Sequence, residues 1–527
     1  MIMKRYKIIL FAMGINMVTV SLIHSQNFGY ENPVITGMNP DPSVCRVGED
    51  YYAVTSTFTW FPGVPVYHSK DLIHWKMIGY CLDRQSNLDL SKGSGIYAPT
   101  IRYNEGTFYM VTTNQRNRGN FYVTATDPSG TWSDPVWVEE LAGIDPSLFF
   151  DDDGKVYFTT THVNGIIQAE IDIQTGKLIT VPKIIWQGTG GRYPEAPHLY
   201  KINGIYYLMI SEGGTEYGHD VVVARSNNPW GPFESNPNNP ILTHVYKISQ
   251  SNPVQGTGHA DLVQAQDGSW WMLFLAFRPV GRHHHIGRET FLAPVKWTAR
   301  GWPLVNTTGT VDLKMNVPTL PQVPVQKEAG RENFDTQSLP LRWNYIGNPD
   351  TSAYSLTERK GWLTLKAGEK NFQNPRGMTF TGFRQKDLSF TTTVSMDFRS
   401  TGDNDEAGIS VFHRETGHYD VYLTENEKKN CVVLRYVLGN MAHEEAKIQI
   451  SSSEAYLRVE GTPTMYTFSF SEDGKEYNKL GSMDARFLSS ETLGGFTGVF
   501  IGLYATSNGK KSTSKAFFDW IEYNEIK

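Results

Sequence analysis

The strongest constraint on this chain is a pattern that occurs five times in its first three-fifths. A small or acidic residue, usually beside a proline, opens a short run of strand formers. A turn follows, and a second run rich in Tyr, Phe or Trp returns. The copies are DPSVCRVGEDYYAVTS from Asp41, APTIRYNEGTFYMVTT from Ala98, DPSLFFDDDGKVYFTT from Asp145, APHLYKINGIYYLMIS from Ala196 and ADLVQAQDGSWWMLFL from Ala260. Asp153-Gly154, Asn203-Gly204 and Asp267-Gly268 are strong hairpin turns, and Glu105-Gly106 is a weaker one. A hairpin unit repeating at roughly 40–50 residues or a little more predicts propeller blades, with the excess length in loops. Further β-runs at residues 64–68 and 221–225 supply outer strands. A β-sandwich requires no such period, so the repeats predict a five-bladed β-propeller.

In a propeller the inner strands line one channel, and their first residues meet at its mouth. Asp41, Asp145 and Glu195 stand at or next to that repeated position in blades one, three and four. Glu195 is framed by Pro194 and Pro197, which restrict the backbone before the strand. A lone glutamate there reads as a surface residue; three carboxyls converging on one mouth read as metal binding or acid/base chemistry. Like charges crowded together raise at least one pKa. Inverting glycoside hydrolysis needs two carboxyls roughly 6.5–9.5 Å apart, a span that facing blades can supply. The run His283-His284-His285 is a poor chelate, because adjacent side chains of an extended chain point to alternate sides; it reads as a polar pocket rim.

At 527 residues the chain exceeds one ordinary core. Its 19% charged and 13% aromatic residues suit a β-rich, sugar-facing protein. The net charge of -6 argues against nucleic acid as a partner. Lys4, Arg5 and Lys7, the apolar residues 8–23 and Ser25 before a cut near Gln26 read as a signal peptide over residues 1–25. The expectation is a secreted or periplasmic protein with no membrane span once the signal is removed. Cys45, Cys81 and Cys431 are too few for a disulfide framework; a Cys45–Cys81 bridge and buried free thiols both fit.

Beyond the repeat, residues 26–314 resemble glycoside hydrolase family 43. The resemblance rests on Asn39-Pro40-Asp41-Pro42-Ser43, Phe61-Pro62-Gly63-Val64-Pro65 with His68-Ser69-Lys70-Asp71-Leu72, Ile144-Asp145-Pro146-Ser147, Pro194-Glu195-Ala196-Pro197, Gly258-His259-Ala260-Asp261 and Gly287-Arg288-Glu289-Thr290. It implies an inverting enzyme with Asp41 as general base, Glu195 as general acid and Asp145 as the residue that tunes and orients the acid. It further implies that Arg288 contacts the sugar, the alternative being an ion pair with Glu289. His259 is implied as a central histidine beneath the site, Phe61 as an aromatic wall and Thr215 as a pocket residue. Relatives often carry Trp where this chain has Tyr97, which leaves that wall's shape open.

Residues 315–331 form a proline-bearing linker, with Pro318, Pro321 and Pro324. From residue 332 to 527 short alternating strands predict a β-sandwich, and this half resembles the concanavalin A-like jelly-roll attached to many family 43 xylosidases. Glu332-Asn333-Phe334, Phe496-Thr497-Gly498, Gly502-Leu503-Tyr504 and Phe517-Phe518-Asp519-Trp520 carry that likeness. It implies Phe496 closing the pocket, and Glu332 and Asp519 either helping to bind a structural calcium or simply solvated. No cofactor is expected for the chemistry.

The whole reading is therefore all-β, a five-bladed propeller followed by a sandwich. The expected substrates are xylan- or arabinan-type oligosaccharides. The expected activity is an exo-acting β-D-xylosidase, with α-L-arabinofuranosidase or a bifunctional enzyme as the alternative. An endo-arabinanase and a non-catalytic sugar-binding propeller are more remote.

Overall fold

The computed structural model describes residues 29–526 except 248–252, 317–319, 327, 329 and 403. The expected signal segment lies outside the described residues, as does Pro318 of the linker. Five antiparallel sheets of four or five strands follow one another along the first part of the described chain. Their inner strands are Ser43–Val47, Thr100–Asn104, Ile144–Phe150, Glu195–Ile202 and Gln255–Gln264. These are the strands that the repeat opens. Each pairs with the aromatic-rich return run, as in Tyr200 opposite Tyr207 and Leu262 opposite Met272. The ring is tied shut by Gly29–Glu31 pairing with Lys314–Asn316. Beside that pair, Tyr30 and Asn32 both donate to the Leu292 carbonyl, at 2.7 and 3.0 Å.

Apolar residues between neighbouring sheets form the blade cores, for example Val54, Val66, Ile101, Met110 and Phe121 between the first two. The channel itself is filled by a polar plug one step further along the inner strands. Asp261 accepts from Arg102 Nη1 at 2.7 Å, Ser43 Oγ at 2.6 Å and Tyr200 Oη at 2.6 Å. Arg102 Nη2 also meets His198 Nδ1 at 2.8 Å. A buried pair without such extra bonds would be costly; here blades one and four supply them to a pair held by blades two and five.

The second part is two packed antiparallel sheets, one of eight strands and one of six. Their facing residues form a core that includes Val394, Leu457, Phe468, Ile409, Val421 and Leu503. The two parts meet over an apolar seam. Tyr345–Ile346 of the second pairs with Trp60–Phe61 of the first. Trp60 stacks on Phe500 with ring centres 3.6 Å apart, and Met38 joins the same apolar cluster. The three cysteines are buried free thiols, so Cys45 and Cys81 do not pair.

Candidate active site

Each inner strand that carries a candidate acid begins with a kink. Asp41 and Asp145 themselves have φ of 55°, as does Ala196 directly after Glu195, and His259 has φ of 45°. In blades three, four and five the ladder slips at these points, between Ile144 and Ser147, Glu195 and His198, and Gly258 and Ala260. A left-handed residue at a strand entry re-aims its neighbours, and bulges of this kind concentrate near active sites. Asp tolerates this conformation better than most residues, which suits it to positions 41 and 145.

Asp41 is buried and held on both oxygens. Arg288 Nη1 donates to Oδ1 at 2.8 Å, and Ser56 Oγ donates to Oδ2 at 2.5 Å. His259 Nδ1 lies 3.7 Å from the same Oδ1. Burial alone would raise the pKa of Asp41, but Arg288, then His259 and the Ser56 bond outweigh it, and the net shift is downward. Asp41 is therefore an anion.

The other two carboxyls behave in the opposite sense. Burial pushes Glu195 up to about 7, with His259 opposing and the Asp41 charge adding to the rise. Asp145 is likewise raised to about 7, first by burial and then by Glu195 and Asp41, against the pull of His259. Its Oδ2 accepts the Ala196 N–H at 3.3 Å, next to Glu195. One oxygen of Glu195 lies 3.4 Å from His219 Nε2. Burial and Arg288 push His219 down to about 3, so this neighbour is neutral. Its ring fills the space beside Gly258, where a Cβ would fall 2.2 Å from Nδ1. One group fixed as an anion faces others poised to hold a proton, which is the division that acid/base catalysis needs.

Arg288 ties this centre to both halves of the chain. Nη1 also donates to Thr215 Oγ1 at 2.7 Å, and Nη2 donates to the Phe496 carbonyl at 3.2 Å. Its guanidinium lies 5.7 Å from the Phe58 ring and 5.6 Å from the Phe496 ring. Phe58 packs edge-on against Tyr97 at 5.3 Å, and Phe496 lies 6.3 Å from Phe58. Phe496 remains 44% exposed, an aromatic face open at the mouth.

Asp41, Asp145, Glu195, Arg288, His259, Thr215, Tyr97 and Phe496 thus come together. Phe61 does not. It is buried in the core between blades one and two, because its strand pairs with Tyr345–Ile346. Phe58, three residues earlier, occupies the wall. Glu289 pairs with Arg278 rather than Arg288, at 2.7 Å.

The histidine run sits on the seam between the two parts. His284 Nδ1 meets Glu491 Oε1 at 2.6 Å, and the His285 carbonyl accepts the Val499 N–H at 3.0 Å. The two expected calcium ligands lie on adjoining strands, Glu332 opposite Ile521 and Asp519 two residues before it. Glu332 accepts the Phe334 N–H at 3.1 Å, and Asp519 has Arg331 and Arg359 as its charged neighbours along with Asp335. Among the described residues no three His, Cys, Asp or Glu side chains converge to hold a metal ion. Ser56, Phe58 and His219 were not legible as site residues; the one available signal was their position in loops beside the repeat starts.

Comparison with known proteins gives a consistent result. Residues 30–303 match the glycosyl hydrolases family 43, and residues 331–524 match the beta xylosidase C-terminal concanavalin A-like domain. A non-reducing end alpha-L-arabinofuranosidase of Bacteroides ovatus is 43% identical over 98% of both chains. A xylosidase/arabinosidase of Butyrivibrio fibrisolvens is 38% identical over 94% of this chain and 99% of its own. Among solved structures, the Bacteroides ovatus Xyloglucan PUL GH43B superposes with a TM-score of 0.91 at 43% identity, covering 95% of this chain and all of that one. The xylan beta-1,4-xylosidase of Bacillus halodurans superposes with a TM-score of 0.90 at 33% identity, over 94% of this chain and all of that one.

Proposed function

Because the chain belongs to glycoside hydrolase family 43, we propose that it removes single α-L-arabinofuranosyl units from the non-reducing ends of plant-type glycans, with inversion at the anomeric carbon. The observation that carries the chemistry is the split between Asp41, held ionised by Arg288 and Ser56, and Glu195, whose burial keeps it protonated toward neutral pH. Glu195 gives its proton to the glycosidic oxygen as the bond from that oxygen to the anomeric carbon breaks. A water attacks the same carbon from the opposite face and passes its proton to Asp41. Asp145 accepts the Ala196 N–H and so holds the backbone beside Glu195. Arg288 and Thr215 are placed to bind sugar hydroxyls.

The family resemblance puts xylose first, whereas the names of the relatives favour arabinofuranose. The relative that is 43% identical over nearly the whole chain is named for arabinofuranose. A β-D-xylosidase is the second reading, supported by the match of the C-terminal half and by xylosidase-named relatives. Aryl α-L-arabinofuranoside and aryl β-D-xylopyranoside, compared on the pure protein with the first-formed anomer followed by NMR, decide between them. A higher kcat/KM on the xyloside would overturn the sugar assignment. Retention of configuration would overturn the roles of Asp41 and Glu195. The basic and then apolar N-terminus supports export to the periplasm or beyond.

A further inference from the structure

A cavity of about 540 Å³ lies between the two parts of the chain, beside the catalytic centre. It shares Phe58, Tyr97 and Phe496 with the wall around Arg288. From there it runs away from the acids, between the blade-two segment at Gly93, Ser94 and Arg116 and two sandwich segments, the turn at residues 373–376 and the strand end at 412–415. Its volume falls in the range of roughly 300–1,000 Å³ that encloses a drug-sized ligand, room for more than one sugar ring.

The lining is built for hydroxyls. Aromatic faces supply the apolar side, while Gln373, Asn374, Arg116, Arg376 and Arg414 supply polar groups. His413 is 2% exposed, lines the cavity, and has no hydrogen-bond partner on either ring nitrogen. Arg414 Nε is likewise buried without one. A buried polar ring left unsatisfied costs stability unless something serves it. Burial, with Arg414 and His284, pushes His413 down to about 3, so the ring is neutral and offers one donor and one acceptor.

We propose that this cavity binds the leaving-side saccharide, at least two units of it beyond the cleaved bond, and that the sandwich residues His413 and Gln373 help to select it. The proposal rests on the reading of the chain as an exo-glycosidase. It makes the natural substrate a chain end or branch on a longer glycan rather than a disaccharide.

The test compares aryl glycosides with oligosaccharides of two, three and four units that carry the same terminal sugar. In the wild type kcat/KM should rise from two to four units. In Gln373→Ala and His413→Phe the ratio of tetrasaccharide to aryl glycoside kcat/KM should fall about threefold to tenfold, as for a lost sugar hydrogen bond. Gln373 lies in an exposed turn, so its variant reads the cavity even if His413→Phe does not fold. A flat length series in the wild type overturns the proposal, and so does a rising series that both variants keep. Calorimetric titration of the same sugars into Glu195→Gln reads the cavity without catalysis. Binding that gains nothing with length overturns the proposal there too, whereas failure to cut any glycoside would instead overturn the enzymatic reading.

Discussion

The chemistry of this site comes down to which carboxyl can hold a proton. Asp41→Asn should lower turnover by ~10²–10⁴-fold, and Glu195→Gln by a similar factor on substrates with poor leaving groups. An activated aryl leaving group needs no proton, so it should partly restore Glu195→Gln and leave Asp41→Asn slow. Steady-state rates on a series of aryl glycosides check this, and equal restoration of both variants would count against the division of roles. Asn preserves the tolerance of left-handed φ that position 41 requires, so the substitution adds no backbone strain there.

The pH dependence has a definite sign. As the proposed acid Glu195 must be protonated, and its pKa is raised to about 7, so kcat/KM should fall as pH rises through 7. As the proposed base Asp41 must be ionised, and its pKa is lowered, so the acidic limb should lie below the ordinary aspartate range. The same shift bears on stability. A carboxyl with a raised folded-state pKa contributes stability that is present below its unfolded value and lost as pH rises through the folded one. Glu195→Gln removes that loss, so its gain in Tm over wild type should be larger at pH 8 than at pH 5 in a calorimetric scan. A pH-independent difference would mean that Glu195 ionises as an ordinary glutamate.

At the scale of elements, the blades were legible because their information is local. Turn pairs such as Asn203-Gly204, flanked by strand formers, recur at a nearly fixed spacing, and the acids sit at a repeated place within it. The site walls were legible only in part, because they depend on contacts between distant segments. Phe61 lies in a motif that suggests a pocket residue, yet its pairing with Tyr345–Ile346 turns it inward and leaves the wall to Phe58. The histidine run, expected at a pocket rim, sits instead on the seam between the two parts. His284 grips Glu491, at the start of the segment that ends in Phe496, and Tyr217 Oη donates to the same carboxylate at 3.2 Å. Glu491→Ala should loosen that segment. We expect KM to rise by about threefold to tenfold with a smaller change in kcat, and faster proteolytic cleavage between residues 490 and 499. Unaltered KM and cleavage would show that the seat does not depend on Glu491.

At the scale of the whole molecule, the second half is part of the catalytic unit. Backbone meets backbone where the halves touch: a Cβ at Gly498 would fall 1.9 Å from the Ile286 carbonyl. Trp60 and Met38 bury their side chains among Phe380, Phe412 and Phe500. A chain ending near residue 326 would uncover that apolar seam and lose Phe496. It should express mostly as aggregate, and any soluble fraction should have kcat/KM at least tenfold below the full chain. A soluble, fully active propeller fragment would refute this. Exposed apolar area of this kind drives association.

One guanidinium grips two things at once: the anion of Asp41 and, through Nη2, the carbonyl of Phe496. Coupling of this sort is reciprocal. Whatever draws the Phe496 strap onto Arg288 steadies the cation beside Asp41 and keeps that carboxyl acidic; whatever protonates Asp41 weakens the hold on the strap. Occupancy of the pocket and readiness of the base are thus one equilibrium viewed from two ends. Hydrogen exchange of the amides of residues 494–499 should quicken as Asp41 is protonated, and should do so in Asp41→Asn at every pH.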